Sequence, residues 1–592
     1  MARRRRMTGC LAMALLAATL AGCSLIPSSG PVVRITQPPV VTGAPQVDIQ
    51  PLAPAQDGTP DQILGGFLAA VSSGSANRFT VAREYLTPDA AKTWDPNQQV
   101  TVYDSNGHAP NVTDKMAALT APVLGLVDAA GRYTSVSDPG FSHDFQMTQV
   151  DGQWRIGDPG TGIFVSQYTF EQAFRVVPIY FFASSGSRLL SENLYMNWGD
   201  ASPTLAIEGL LKGPSTWLGP AAINVVPPQT KLAVSHVSVD TQGVAQISLT
   251  REVLTLSESQ KVQMAAQFWW TLISFTSVTG LRIDAEGTPL TVQGQDADGV
   301  VRADTVSDYA PSTPAVSQDV FGLSDDAAVV RVPASAGAAL QPLDGPLGTA
   351  WDDTPTQLAV SADGSTVALA SATSLWIGST TSAQAPDKAF DGVGLTRPQV
   401  NQDGTWVISQ GADAADSPAL WLVDPGGTQQ HVDLTDLSGA SVTAFRVAPD
   451  RTRIAVVTHM DGQDVLGLLR IQSLAPLTVA GWRPLVVNTD RGLLVTCLDV
   501  GWVSSSPEQL VVLATTGGDD SASAYRMDVD AAAISSMGPL SGNQPVALAV
   551  SPRGDGTTTA MALTSGGAVW RYEDTTRWTP LATGLAAIAL PD

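Results

Sequence analysis

The stretch Leu358-Ala359-Val360-Ser361-Ala362-Asp363-Gly364-Ser365-Thr366-Val367-Ala368-Leu369 consists of two short apolar runs joined by a polar turn. Asp and Ser hydrogen-bond turn backbone and Gly relaxes it, so the segment is expected to form a strand, a tight turn and a second strand. The pattern returns as Gln399-Val400-Asn401-Gln402-Asp403-Gly404-Thr405-Trp406-Val407-Ile408 and as Phe445-Arg446-Val447-Ala448-Pro449-Asp450-Arg451-Thr452-Arg453-Ile454-Ala455-Val456. Looser copies surround Ser506-Pro507 and Ser551-Pro552. Each copy precedes another apolar strand: Leu375-Trp376-Ile377, Leu420-Trp421-Leu422, Leu466-Gly467-Leu468-Leu469, Ala524-Tyr525-Arg526 and Val569-Trp570-Arg571. Successive turn aspartates stand 40 (Asp363 to Asp403) and 47 (Asp403 to Asp450) residues apart. Several short strands per unit at such a period indicate the blades of a β-propeller. We expect it over residues 319–592 with about five to seven blades: five repeats are explicit, and residues 321–332 with the apolar run 585–590 complete a sixth or close the ring.

Composition agrees with a turn-rich β protein. The chain has 592 residues, 53 Gly and 40 Pro, and only 15% charged residues, against about 25% in an ordinary globular protein. Ring closure removes exposed strand edges that charged side chains would otherwise guard. The formal charge of −23 argues against nucleic acid or anionic headgroups as the main partner, because phosphate binding needs basic stripes. Three cysteines exclude a disulfide framework.

The amino terminus reads as an export address. Arg3, Arg4, Arg5 and Arg6 precede an apolar stretch, residues 11–20, too short to span a bilayer comfortably. Leu20-Ala21-Gly22-Cys23 follows and resembles the lipobox of bacterial lipoproteins. The resemblance implies cleavage after Gly22 and lipidation of Cys23, S-diacylglyceryl on its sulfur and N-palmitoyl on its new amino group, because stable anchoring takes more than one chain. An ordinary secretory signal or an uncleaved anchor are the alternatives. Losing residues 1–22 with their four arginines takes the formal charge from −23 to −27. Residues 23–58 then form a lipidated Cys and a flexible tether without helical or alternating period.

Thr59-Pro60-Asp61-Gln62 has the elements of a capping box, and Ile63, Leu64, Phe67, Leu68 and Val71 continue at helical spacing. A second short helix is expected around Thr87-Pro88-Asp89. Strand-like runs at 100–103, 123–127 and 145–150 follow, and the last turns at Asp151-Gly152 into Gln153-Trp154-Arg155-Ile156. Helices followed by a strand meander resemble the NTF2-like α+β fold over 59–168, with Trp94 and Trp154 as core residues.

Over 169–293, a buried-strand run (176–182) and a helix opening at Ser202-Pro203 and stopping at Gly213-Pro214 come first. Then come Val225-Val226-Pro227-Pro228-Gln229-Thr230-Lys231-Leu232 leading into a strand, the pair Val237-Ser238-Val239 and Val244-Ala245-Gln246-Ile247-Ser248-Leu249, and a long helix capped by Ser257 with Gln260. This ordered set, ending in Leu281-Arg282-Ile283, resembles the GerMN domain, for which no catalytic residues are implied. Of the adjacent Trp269 and Trp270, one is expected in this core and one at an interdomain contact. Residues 294–318 read as a linker, and Asp296-Ala297-Asp298-Gly299 as a turn lacking the remaining ligands of a calcium loop.

Linear catalytic motifs are missing. None of the six lysines (92, 115, 212, 231, 261, 388) follows a glycine, so there is no P-loop. His108, His143, His236, His431 and His459 lie far apart, and neither HExxH nor GxSxG occurs. Cys497 is expected to be a small buried hydrophobe, and Asp363, Asp403 and Asp450 to serve their turns. The expectation is no catalytic residue, metal or cofactor, although a propeller can assemble a dispersed site at its channel.

The lipobox, the Cys-Ser-Leu-Ile-Pro-Ser-Ser tether, Val81-Ala82-Arg83-Glu84-Tyr85-Leu86-Thr87-Pro88, the GerMN-like unit and the C-terminal propeller together resemble the LpqB family of actinobacterial lipoproteins. That resemblance implies a non-enzymatic role at the extracytoplasmic face of the cell membrane. The partner it implies is the sensor ectodomain of a histidine kinase of the MtrB type, in an MtrA–MtrB system governing cell-wall and division genes. The alternatives are a lipoprotein binding cell-wall glycan or stem peptide, and a propeller hydrolase with a dispersed site.

Overall fold

Local sequence signals set the first elements of the computed structural model. It describes residues 51–591 except 74–77, 107–109, 114–115, 187, 200, 312–315, 352–353, 414–415, 490–491, 506–507, 518–520, 541–542, 553–557 and 575. Gly22 and Cys23 therefore lie outside the described residues, as do the leader, most of the tether, His108 and Lys115. Helix Pro60–Ser72 starts from the Thr59/Gln62 capping box and buries Ile63, Leu64, Phe67, Ala70 and Val71. The second helical region divides into Arg78–Glu84 and Pro88–Thr93, because Thr87 leaves the helix to cap Ala90 N–H. These helices cover a sheet ordered Tyr133–Asp138, Val123–Asp128, Gln99–Tyr103 and Ile163–Ser166, the last pair being parallel. Trp94 is buried and its Nε1 donates to the Gly162 carbonyl at 2.8 Å, so its polar edge is satisfied within the core. Gly125 is obligatory here, since a Cβ would sit 2.0 Å from the Tyr133 ring.

In the second domain, Phe174–Ala183 pairs antiparallel with Leu189–Asn197. A second sheet joins Val244–Leu249 in parallel to Gly280–Ala285. Helices Ser202–Leu211 and Glu258–Leu272 pack on this framework, the latter with its Ser257/Gln260 capping box formed. Trp269 is buried, and Trp270 is half-buried against the same core, beside Tyr180. Residues 225–232 run as a loop touching the sheet only at Leu232, because the Pro227-Pro228 pair supplies no ladder donors.

The stretch 294–318 is not a plain linker. Val300, Val301 and Val306 are buried, Val301 and Val306 within the core of the preceding domain, and Val301 exchanges backbone hydrogen bonds with Leu281. Their burial outweighs the polar composition around them. Asp296 shapes the turn, accepting from the backbone N–H groups of Asp298 and Val300 and from Arg302.

Six antiparallel sheets follow among the described residues. The second to sixth blades start at Gln357–Val360, Gln399–Asn401, Ser441–Val447, Asn488–Thr489 and Pro545–Pro552. The first is composite: Val320–Ser324, Val329–Val332 and Gln341–Pro342 receive Leu585–Ala589 as their fourth strand. That terminal strand also lies against Gln357–Val360 and Pro545–Pro552, closing the ring. Blades pack through apolar faces, for example Trp406, Phe445 and Ile454 between the third and fourth.

Candidate functional site

The richest concentration of buried polar chemistry lies where the three domains meet. Leu189–Asn197, from the second domain, carries Tyr195 against the propeller, and the Tyr195 hydroxyl stands 3.0 Å from Asp528 Oδ2 and 2.9 Å from Asp530 Oδ1. A hydroxyl has one proton to donate, so the two carboxyls compete for it. Burial, followed by the charge of Asp528, pushes the Asp530 carboxyl up to about 7, and burial raises Asp528 as well. Nearby, Trp217 Nε1 donates to the Gly481 carbonyl at 2.7 Å, while Arg470 donates to the Trp217 carbonyl and lies over the indole with Arg483. The first domain is held by Arg483 donating to the Tyr133 carbonyl and by Val486 N–H donating to Ser135 Oγ at 3.1 Å. Arg132 pairs with Glu192 at 2.9 Å, linking first and second domains.

Arg453, buried in the fourth blade, contacts both Asp450 and Glu508. Burial alone would raise both carboxyls, but Arg453 holds Asp450 below its usual value while Glu508 stays well above its own. Asp450 does serve its turn, accepting from Thr452 N–H at 2.8 Å. It is also the buried partner of a cation, and Asp403 pairs with Arg451 across two blades, roles that the turn motif did not disclose. Asp363 is the plain turn residue expected, accepting from Ser361, Ser365 and the Ser365 backbone.

A cavity of about 250 Å³ opens among Asp128, Arg132, Glu192, Asn193, Trp217, Arg453, Arg483 and Asp530. A larger cleft, about 840 Å³, separates the second and third blades, with Ile377, Val400 and Val423 along its walls and Asp363, Lys388, Asn401 and Asp424 among its polar groups. The propeller channel does gather polar groups, but they link blades to each other. Arg397 pairs with Asp499 at 3.0 Å and donates to the Leu548 carbonyl, Asp499 accepts from Leu548 N–H, and Gln399 bonds both backbone groups of Val447. The space left there is about 30 Å³, room for roughly one water.

Cys497 is buried, and burial together with the Asp499 charge raises its thiol far above the usual range. His143 stacks on Phe164, His431 on Trp421, and His459 pairs with Asp464, so the structure brings none of these three together. His236 is exposed. Among the described residues no group of three His, Cys, Asp or Glu side chains could hold a metal ion, and no helix is long and apolar enough to cross a membrane.

Three family models match consecutive parts of the chain: the lipoprotein LpqB N-terminal domain over 53–171, a sporulation and spore germination domain over 178–291, and the lipoprotein LpqB β-propeller domain over 327–591. A lipoprotein LpqB of Cutibacterium acnes is 31% identical, covering 97% of this chain and 97% of its own. The chain belongs to the LpqB lipoprotein family. Another LpqB, from Streptomyces coelicolor, is 28% identical over 84% of this chain and 89% of its own. A solved TolB from Acinetobacter baumannii is 13% identical, with a TM-score of 0.34, covering 57% of this chain and 87% of that one. Within the LpqB framework the three-domain junction is assembled from all three matched regions, through Arg132, Glu192 and Asp530 among others.

Proposed function

We propose that this chain is a lipid-anchored accessory protein at the extracytoplasmic face of the membrane, contacting the sensor ectodomain of an envelope histidine kinase of the MtrB type and tuning cell-wall and division control. The observation that carries this reading is the buried polar junction. Tyr195 with Asp528 and Asp530, Trp217 with Gly481, and Arg483 with Tyr133 join the two small domains to the propeller. Such a body presents a preformed surface and loses little freedom on binding. Acyl chains on Cys23, following cleavage after Gly22, would hold it beside a membrane kinase at high effective concentration, so that even a weak contact is occupied.

The test is crosslinking in intact cells, comparing the wild-type chain with full-length Cys23→Ala. Capture of one sensor kinase by the tethered form, and much less by Cys23→Ala, is the expected result. Failure of either form to capture a kinase, with the purified exported chain retained on peptidoglycan, overturns the reading. Fatty-acid labelling tests the anchor itself: Cys23→Ala should abolish it, and unchanged labelling would remove Cys23 as the acceptor.

The inter-blade cleft supports a second reading, a receptor for cell-wall glycan or stem peptide. Its apolar walls and polar groups combine the surfaces that such a ligand offers. Retention on peptidoglycan that disappears when the cleft is filled by Val400→Trp would favour it.

A further inference from the structure

The cavity at the three-domain junction has a floor whose hydrogen bonding is incomplete. Asn193 is 5% exposed, yet neither its Nδ2 nor its Oδ1 has a hydrogen-bond partner. The Nε of Arg453, in the same wall, is also buried without a partner. Leaving a buried polar group unpaired forfeits its hydration without return, and native proteins rarely leave both halves of one amide so. The mouth is formed by exposed Asp128, Thr134 and Thr216, giving solvent a path to the floor.

We infer that this cavity is a binding site for a small neutral molecule bearing an amide, received by the side chain of Asn193. An unspent N–H donor beside an unspent carbonyl acceptor matches the reversed pair on another amide, allowing two hydrogen bonds at once. Arg453 Nε adds a donor for the ligand's carbonyl oxygen. Neutrality follows from the inner wall charges, which already have protein partners, while Asp128 at the mouth accepts from the N–H groups of Ala130 and Arg132. Arg132 pairs with Glu192, Arg453 with Asp450 and Glu508, and Asp530 with Tyr195, while Arg483 rests over Trp217. A charged ligand would have to break one of these; an amide takes only what is unspent. Leu218, Leu468 and Val529 supply apolar wall for the remainder of the molecule. A volume of about 250 Å³ lies just below the usual range for small-molecule sites. This inference stands apart from the kinase reading and needs no kinase contact.

The test uses the full exported chain, made without lipid as Cys23→Ala, and three probes titrated by ligand-observed NMR: N-acetylglucosamine, acetamide and N-acetylalanine amide, with glucose as the control lacking an amide. At least one amide probe should bind saturably, glucose about tenfold or more weakly, and Asn193→Leu should lose that binding by at least the same factor. Leucine keeps the branching and heavy-atom count of asparagine without its polar atoms but is bulkier, so the melting temperature of the variant is measured beside its binding. Should it not fold, Thr216→Trp, at the exposed mouth, blocks entry while leaving Asn193 in place and should abolish binding. The inference is overturned if no amide probe saturates the site, the cavity then holding water alone, or if the probes bind equally well after Asn193→Leu or Thr216→Trp.

Discussion

Asp530→Asn should flatten the dependence of stability on pH. In the folded chain the Asp530 carboxyl is buried beside Asp528 and rises from 3.8 to about 7. Raising an acid's pKa on folding means the native state binds its proton more tightly than the unfolded chain does. Its stabilising contribution is complete below the unfolded value near 3.8 and is lost as pH climbs through the folded value near 7. Each factor of ten in proton affinity is about 1.4 kcal/mol, so ionised Asp530 costs up to about 4 kcal/mol, fully felt by pH 8. Asparagine has nearly the same shape and keeps an acceptor for the Tyr195 hydroxyl and the Ala532 N–H. Urea unfolding of the full exported chain between pH 5 and 8, at constant ionic strength, should show wild-type stability falling as pH rises. The variant should change much less and be the more stable of the two at pH 8. Parallel curves for the two proteins would refute the reasoning, because the junction would then carry no titrating proton in this range.

Arg453→Met leaves buried Asp450 without its cation and should destabilise the chain by about 3–5 kcal/mol; adding Asp450→Asn should recover part of that loss in the same unfolding measurement, and no recovery would contradict the pairing. In the exported Cys23→Ala chain the Cys497 thiol should resist a thiol-specific reagent while folded and react stoichiometrically once denatured, since burial keeps it protonated; rapid labelling of this native variant would count against its placement. Trp217→Ala removes an indole that bonds Gly481 and underlies Arg470 and Arg483, so protease cutting between the second domain and the propeller should accelerate, and unchanged cutting would mean that other contacts carry the junction.

What the sequence made legible was local chemistry. Thr59 with Gln62 and Ser257 with Gln260 are three residues apart, and both form the capping boxes their spacing announces. The blades were readable because each repeats its own turn, with Asp363 as the clearest case. What stayed hidden depends on residues far apart in the chain. Tyr195 meets Asp528 and Asp530 across more than 300 residues, and Glu508 belongs to no motif until Arg453 is placed beside it. Residues 294–318 misled because average polarity masked Val300, Val301 and Val306, three apolar side chains that suffice to fasten a segment. Asn193 gave no signal at all, since an asparagine inside an apolar strand is conspicuous only once its surroundings are known.

The strand Leu585–Ala589 gives the propeller a direction in time. Its pairing with Val320–Ser324 joins parts of the chain roughly 270 residues apart, and closing a loop of that length costs on the order of 5 kcal/mol in chain entropy. A chain threaded across a membrane amino terminus first would deliver this strand after every other blade had emerged. Until then the first blade lacks its inner strand and exposes an unpaired edge beside Gln357–Val360, a template for wrong partners. The ring closes only when Leu585–Ala589 is in place, and a chain lacking that strand would keep the open edge through which sheets adhere to one another.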